Sequence, residues 1–374
     1  MNILLLNWQD VTNPLSGGAE VHLHEIFKRI AARGHSITLF CSWYSGAAAD
    51  EVIDGIRIMR EGGRNLFNYR VYPRYMRQFR SQFDIIVDDI NKIPFYTPLF
   101  VREPLVGILH HFFGKSIFAE THPPGALYVL GAEWLAQRVY RNTPMAVVSE
   151  STKQELLSYG FREENLFLVP NCVDHIAYTL GHQDFQGHVI GYLGRLKNYK
   201  SIEDLLQAFA IVLRDAPDAR LVIVGEGDAR KTLERVARGI HITGKVEFRG
   251  FVPLEEKVRL LRSMNFVVNP SSKEGWGLTV IEANACGVPV IASDVPGLCD
   301  SVLDDKTGLL YEYGNIEQLA AKMLLLLRDR ALRSRLSVGA LEWAQQFDWN
   351  NSAEAMLTLL ESKIHRSART GRSD

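Results

Sequence analysis

The chain has 374 residues, 47% of them hydrophobic and 23% charged, with Lys+Arg 42 against Asp+Glu 43 and a net charge of −1. That length accommodates two ordinary domains, the composition is that of a soluble globular protein, and the balanced charge gives no support to general nucleic-acid binding. Cys41, Cys172, Cys286 and Cys299 show neither C-x-x-C nor metal-ligand spacing, which fits buried thiols in a reducing compartment. The N-terminus runs straight into a strand, MNILLLNW, without the basic and cleavable parts of a signal peptide. The longest aliphatic run, MLLLL at 323–327, is too short to span a bilayer. The expectation is a cytoplasmic protein that binds no nucleic acid.

In chain order, NILLL is a buried strand, 8–16 a loop, 19–33 a helix entered from Gly17-Gly18 and stopped by Gly34, and SITLFC a second strand. Apolar runs at 83–89, 105–109, 145–149 and 166–170 then alternate with helical stretches, one of them at 125–141. The polar segment 174–187 reads as a linker. A second series follows: strand HVIGYLG, helix SIEDLLQAFAIVLRDAP, strand ARLVIVGEG, helix KTLERVARG, strand KVEFRG, helix PLEEKVRLLRS, strand NFVVNPS, helix LTVIEANAC and strand VPVIASD. Helices at 316–328 and 351–363 close the chain, and the tail HRSARTGRSD reads as disordered. This alternation predicts an α/β fold of two facing Rossmann-like domains with mostly parallel sheets. The domains span 1–175, completed by a C-terminal helix at about 351–366, and 186–348. Ligands of such sheets bind at the carboxyl ends of the strands, so site residues are sought in the loops after strands, around an interdomain cleft.

The stretch 273–291, KEGWGLTVIEANACGVPVI, carries two carboxylates with seven residues between them, Glu274 and Glu282. Gly275 and Gly277 permit close backbone approach to a ligand. The N–H groups at Leu278 and Thr279 open a helix and form an anion site. A carboxylate beside an anion site suits hydroxyls rather than phosphate. Ribose on one glutamate, sugar on the other and diphosphate on the helix N-terminus describe a nucleotide sugar. In YLGRLKNYKS, Arg195 and Lys200 follow a strand and supply cations for the diphosphate. No Asp-x-Asp and no His/Cys cluster is present, so neither a metal nor another cofactor is expected.

These motifs resemble the retaining glycosyltransferase family 4, bacterial-type group 1 enzymes with the GT-B fold. The resemblance runs nearly the whole length. Its parts are EGWGL…EA…GVPVI, Gly-Arg-Leu with Lys200, Gly17-Gly18, VVSESTKQEL at 147–156 and VPNCVD at 169–174. It implies that Glu282 binds the donor ribose and Glu274 the transferred sugar. Arg195 and Lys200 would hold the diphosphate with backbone at Gly277 to Thr279, Gly18 would approach the donor, and His110 would sit by the reacting centre. It also implies that a β-phosphate oxygen takes the acceptor proton, so no side-chain base is needed and leaving-group stabilisation dominates. Ser201 stands where the family has glycine, Cys172 replaces the Gly of Asn-Gly, GLCD at 297–300 replaces a Gly-Gly…Glu pattern, and Asn284 replaces a methionine.

The donor is read as UDP- or GDP-linked, the transferred group as a hexose, and the acceptor as a glycan or lipid-linked hydroxyl in polysaccharide biosynthesis. His111, Asp88, Asp89 and Asn91 follow first-domain strands and are acceptor candidates, although Asp and Asn there are also ordinary turn residues. Glu133 reads as a surface or capping charge. Residues 64–80, RNLFNYRVYPRYMRQFR, hold five arginines and no acid. Helical spacing puts Arg70, Arg74 and Arg77 on one face and Tyr72, Tyr75, Met76 and Phe79 on the other. That is either a core-facing stripe with a solvated basic side or a peripheral contact with anionic membrane. A dinucleotide oxidoreductase needs G-x-G-x-x-G after the first strand, and NWQDVTNPLSGG lacks it. A non-catalytic nucleotide-sugar binder or partner subunit is the alternative reading.

Overall fold

The computed structural model describes residues 1–64, 66–181 and 187–370. Parts of three sequence readings lie outside the described residues: position 65 of the basic segment, 182–186 of the linker and 371–374 of the tail. The chain divides into two compact units. One comprises Met1–Ile117, His122–Asn171 and the stretch from Trp349, and the other Phe118–Thr121 and Cys172–Asp348.

The first unit contains β1 (Asn2–Leu6), α1 (Gly18–Ala32), β2 (Ser36–Cys41), β3 (Asp50–Ile53), β4 (Ile56–Arg60), α2 (Asn68–Arg74), β5 (Ile85–Asp89), β6 (Leu105–Leu109), α3 (Pro123–Val139), β7 (Met145–Val147), α4 (Glu150–Ser158) and β8 (Leu166–Leu168). Its eight strands run β3-β4-β2-β1-β5-β6-β7-β8, parallel except for the β3–β4 pair. That hairpin is absent from the sequence-based assignment. It turns on Asp54 and Gly55, both at positive φ (50° and 81°), as an Asp-Gly hairpin turn requires. The strand order reverses between β1 and β5, the place where an open α/β sheet leaves a crevice at its carboxyl edge.

The second unit contains β9 (Val189–Leu193), α5 (Ile202–Asp215), β10 (Arg220–Val224), α6 (Arg230–Gly239), β11 (Val246–Gly250), α7 (Leu254–Ser263), β12 (Phe266–Asn269), α8 (Leu278–Ala285), β13 (Val290–Ser293), α9 (Leu298–Ser301), β14 (Gly308–Tyr311), α10 (Ile316–Arg328) and α11 (Arg330–Ala344). Its strands pair in parallel in the order β11-β10-β9-β12-β13-β14. The order reverses between β9 and β12. Ile190, Ile223, Phe266 and Ile291 from this sheet pack with Leu205, Phe209 and Met323 from the helices in one apolar core. The elements β14, α9 and α11 go beyond the sequence-based assignment. α11 starts on Asp329, whose side chain accepts a hydrogen bond from the Leu332 N–H.

The last helix, α12 (Trp349–Thr370), belongs to the first unit and packs along α1. Its helical backbone through Thr370 corrects the disordered reading of 365–370. Continuity with a helix already docked extends the periodic structure beyond its last apolar residue. The basic segment also differs from expectation. After α2 the chain forms a π turn over Tyr75–Phe79, with Pro73 just before it, a common site for such irregularity. Phe67, Val71, Tyr75 and Phe79, four apart, are buried, whereas Tyr72 and Met76 are exposed on the side that carries Arg70 and Arg77. Arg74 turns back to Glu61 at 3.1 Å.

Candidate active site

In the second unit two loops leave the carboxyl ends of β9 and β12, which are neighbours in the sheet. Adjacent parallel strands deliver their following loops side by side, and this brings residues 195–201 against residues 270–277. The Ser272 N–H and hydroxyl both donate to the Tyr199 carbonyl, at 2.9 and 3.0 Å. Lys200 then donates to Glu274 Oε1 as an ion pair, with only 14% and 12% of the two side chains exposed. The Ser271 hydroxyl lies 2.8 Å from the same carboxylate oxygen. Burial pushes the Lys200 ammonium towards neutrality, but the facing Glu274 carboxylate outweighs it and raises the pKa. Lys200 therefore stays charged, and an ammonium with three donors can serve a phosphate and Glu274 together.

Arg195 is exposed on the same loop, its Nη2 3.4 Å from the Tyr199 hydroxyl. Gly277 precedes α8 at φ 87°, a backbone state that disfavours a side chain. A Cβ there would also meet Leu298 Cδ2 at 2.9 Å. Leu298 itself is fully buried and covers Gly277. Gly275 is buried, and Leu278 and Thr279 begin the helix half-exposed, where first-turn N–H groups lack intrahelical acceptors. Lys200, Glu274, Gly275, Gly277, Leu278 and Thr279 thus form one contiguous corner of the domain.

Glu282 lies one turn further in and is 6% exposed. Its Oε1 accepts from the Tyr178 hydroxyl at 2.7 Å and its Oε2 from Lys257 Nζ at 2.5 Å. Burial and the Glu282 charge push the Tyr178 phenol far up. Each carboxylate oxygen still has a second lone pair. Tyr178 and Lys257 were missed in the sequence. Lys257 sits on a helix rich in charge, EEKVRLLR, and Tyr178 belongs to no periodic pattern, so neither carries a signal.

In the first unit, α1 follows Gly17, whose N–H donates to Glu20 Oε2 at 2.6 Å, the carboxylate half of a capping box, since glycine has no side chain for the other half. A Cβ on Gly18 would meet nothing within 4 Å, so the helix start faces open space. His110 follows β6, with Nε2 3.4 Å from Asp89 Oδ1 and its ring edge-on to His22 at 5.2 Å between centroids. His22 is fully buried, its Nε2 3.0 Å from the Val169 carbonyl, and burial holds its pKa down at about 3. It is therefore a neutral neighbour for His110, with Nε2 as the donor. Asn91 donates to Asn7 Oδ1 at 2.8 Å, linking the ends of β1 and β5 at the strand-order reversal.

The other first-unit candidates are less available. Asp88 is wholly buried and accepts from Tyr140 and Thr97 hydroxyls; burial pushes its pKa up to about 6. It points to the opposite sheet face from Asp89, as strand alternation demands, and is not brought to the His110 cluster. His111 stacks obliquely on Phe113 at 4.9 Å. Glu133 is buried, not superficial: its oxygens accept from the N–H groups of Phe113 and Gly114 at 2.6 and 3.0 Å. Among the described residues no cluster of His, Cys, Asp and Glu is placed to hold a metal ion. No helix among them is long and apolar enough to cross a membrane.

Two family descriptions match in tandem: Glycosyltransferase Family 4 over residues 16–176 and Glycosyl transferases group 1 over residues 184–343. The chain is 31% identical over 265 residues to a D-inositol 3-phosphate glycosyltransferase of Jonesia denitrificans, a match covering 65% of this chain and 62% of that protein. Sucrose-phosphate synthase from Thermosynechococcus elongatus superposes with a TM-score of 0.83 at 20% identity, over 98% and 99% of the two chains. Anabaena HepE in complex with UDP-glucose gives 0.78 at 20% identity, over 97% and 100%. With both halves matched in order and the whole fold shared, the chain belongs to the family 4, group 1 glycosyltransferases and has their two-domain GT-B architecture.

Proposed function

We propose that this protein transfers a hexose, with retention of anomeric configuration and without a metal, from a UDP- or GDP-linked donor to a hydroxyl of a glycan or lipid-linked acceptor. The observation that carries this reading is the buried Lys200–Glu274 pair beside the N-terminus of α8. A cation, a carboxylate and a helix N-terminus in one corner match the three parts of a sugar diphosphate.

The second domain would act as the donor side. The diphosphate lies on the N–H groups at Leu278 and Thr279 and on Lys200, with Arg195 adding a fork from the loop surface. Glu274 receives sugar hydroxyls and Glu282 the ribose. As the anomeric C–O bond breaks, charge grows on the departing phosphate. Lys200, Arg195 and the helix N-terminus stabilise that charge in fixed positions. The acceptor oxygen bonds to the same face of the anomeric carbon, and its proton passes to an oxygen of the leaving diphosphate. Gly17 and Gly18 would leave room for the donor on the first domain's side, with His110, next to Asp89, by the reacting centre and His111 and Asn91 near the acceptor. HepE, described with UDP-glucose, favours UDP as the carrier.

Stereochemistry tests the reading. An α-linked donor must yield an α-linked product, read from the anomeric proton coupling by NMR, and the rate must survive chelator. A β-linked product would exclude retention. A donor that binds but is never turned over with any hydroxyl acceptor would favour the non-catalytic binder.

A further inference from the structure

The first domain carries an apolar surface that neither its core nor its candidate site uses. On α3, beyond the two prolines at its start, the exposed residues are Leu127, Tyr128, Gly131, Trp134, Leu135 and Arg138. Their spacing of three and four places them on one stripe of the helix. Leu127 is 63% exposed, Tyr128 59% and Trp134 55%, the reverse of what an amphipathic helix on a globular domain shows. The stripe ends in Arg138, whose guanidinium lies 3.5 Å from the Trp134 ring centroid. The single acid of α3, Glu133, is turned inward to cap residues 113 and 114, so the outward face carries positive charge only.

A second apolar and basic surface lies on the same side of the sheet. Ile86 of β5 packs with Phe67, Val71 and Tyr75 under α2 and the π turn. Asp88, two residues on and therefore on the same face, is bonded to Tyr140 at the end of α3. The segment between joins the two helices: the Tyr96 hydroxyl donates to the Ala132 carbonyl at 3.1 Å, and the Phe100 ring lies 5.2 Å from that of Tyr72. Leu99, within that segment, is 70% exposed. Tyr69, Tyr72 and Met76 then continue the outward apolar surface on α2 and the π turn, interleaved with Arg70 and Arg77.

From this we infer that the α2–α3 side of the first domain is a docking surface for an anionic membrane. Exposed Trp and Tyr with Leu, edged by Arg and free of outward acids on both helices, match the interfacial depth at which aromatic rings and guanidinium groups settle. Anionic headgroups are the complementary charge. A protein partner needs paired polar groups at its rim, whereas every charge presented by these two helices is a cation. The inference stands apart from the sugar-transfer reading, since it concerns a different face and needs no donor. Taken with that reading, it favours the lipid-linked acceptor.

The test is co-sedimentation of the full chain with vesicles of phosphatidylcholine alone and of an equimolar mixture with phosphatidylglycerol, at low and high salt. Binding to the anionic vesicles, weakening with salt, is the expected result. The paired change Trp134→Ser with Leu135→Ser, which alters only exposed side chains, should lower it at least tenfold with no loss of thermal stability. Arg77→Gln with Arg138→Gln should weaken binding to anionic vesicles selectively. Absence of binding at low salt, or binding unmoved by the Trp134/Leu135 change, overturns it. A vesicle-indifferent dimer in light scattering that the same change dissociates also overturns it, by assigning the face to a second copy of the chain.

Discussion

Ser201 sits at φ 48° and ψ 37°, between Lys200 and the first turn of α5. This left-handed state crowds any Cβ and costs about 1 kcal/mol or more for a non-glycine residue. The family resemblance puts glycine there, and the structure supplies the reason. Ser201→Gly is expected to raise stability by about 0.5–1 kcal/mol in urea unfolding, relief of strain outweighing added chain entropy. Equal or lower stability would show that the Ser201–Tyr313 hydroxyl contact at 3.0 Å matters more. The replacement at Cys172 behaves differently, because Cys172 is buried without positive φ. At this scale the charges of the candidate site were legible because Arg195, Lys200 and Glu274 sit at fixed distances from strand ends. Asp88 was not. Its place in the sequence is as good as that of Asp89, and only the alternation of side chains about β5 turns it into the interior.

Among elements, α8 owes its position to β12 before it and to Gly277, but its carboxylate is held by two others. Lys257 comes from α7 and Tyr178 from the segment after Cys172, and both reach Glu282. If Glu282 receives the ribose, these two residues hold its oxygens in place without touching the donor. Tyr178→Phe and Lys257→Met should then each raise the KM for the nucleotide sugar several-fold, towards tenfold, and leave kcat nearly unchanged. A fall in kcat at constant KM would place them in another role. This arrangement was invisible in the sequence, where α7 reads as an ordinary charged surface helix. The long elements were easy: strongly periodic helices such as α5 and continuous apolar strands such as β9 and β10 declare themselves. The β3–β4 hairpin was the harder case. Its strands are short, β3 is half-exposed, and its evidence is a single Asp-Gly pair.

For the whole molecule, two runs of alternating strand and helix sufficed to expect two parallel-sheet domains, since helices must cover both faces of such a sheet. Assigning α12 to the first unit needed more than periodicity, because a helix carries no mark of the unit on which its apolar stripe packs. The exposed stripe on α3 was hidden for a related reason. Leu, Tyr and Trp at helical spacing look like core in a sequence, and only a structure shows which stripe faces inward. Calorimetric titration of the protein with UDP-, GDP- and ADP-linked sugars, with Lys200→Met and Glu282→Gln alongside, asks whether the Lys200–Glu274 corner and Glu282 hold the donor. One donor class should bind in the micromolar range, about −8 kcal/mol, and each substitution should weaken it by roughly two orders of magnitude, about 3 kcal/mol. Binding of no nucleotide sugar, or equal binding by the wild type and both variants, would contradict that role.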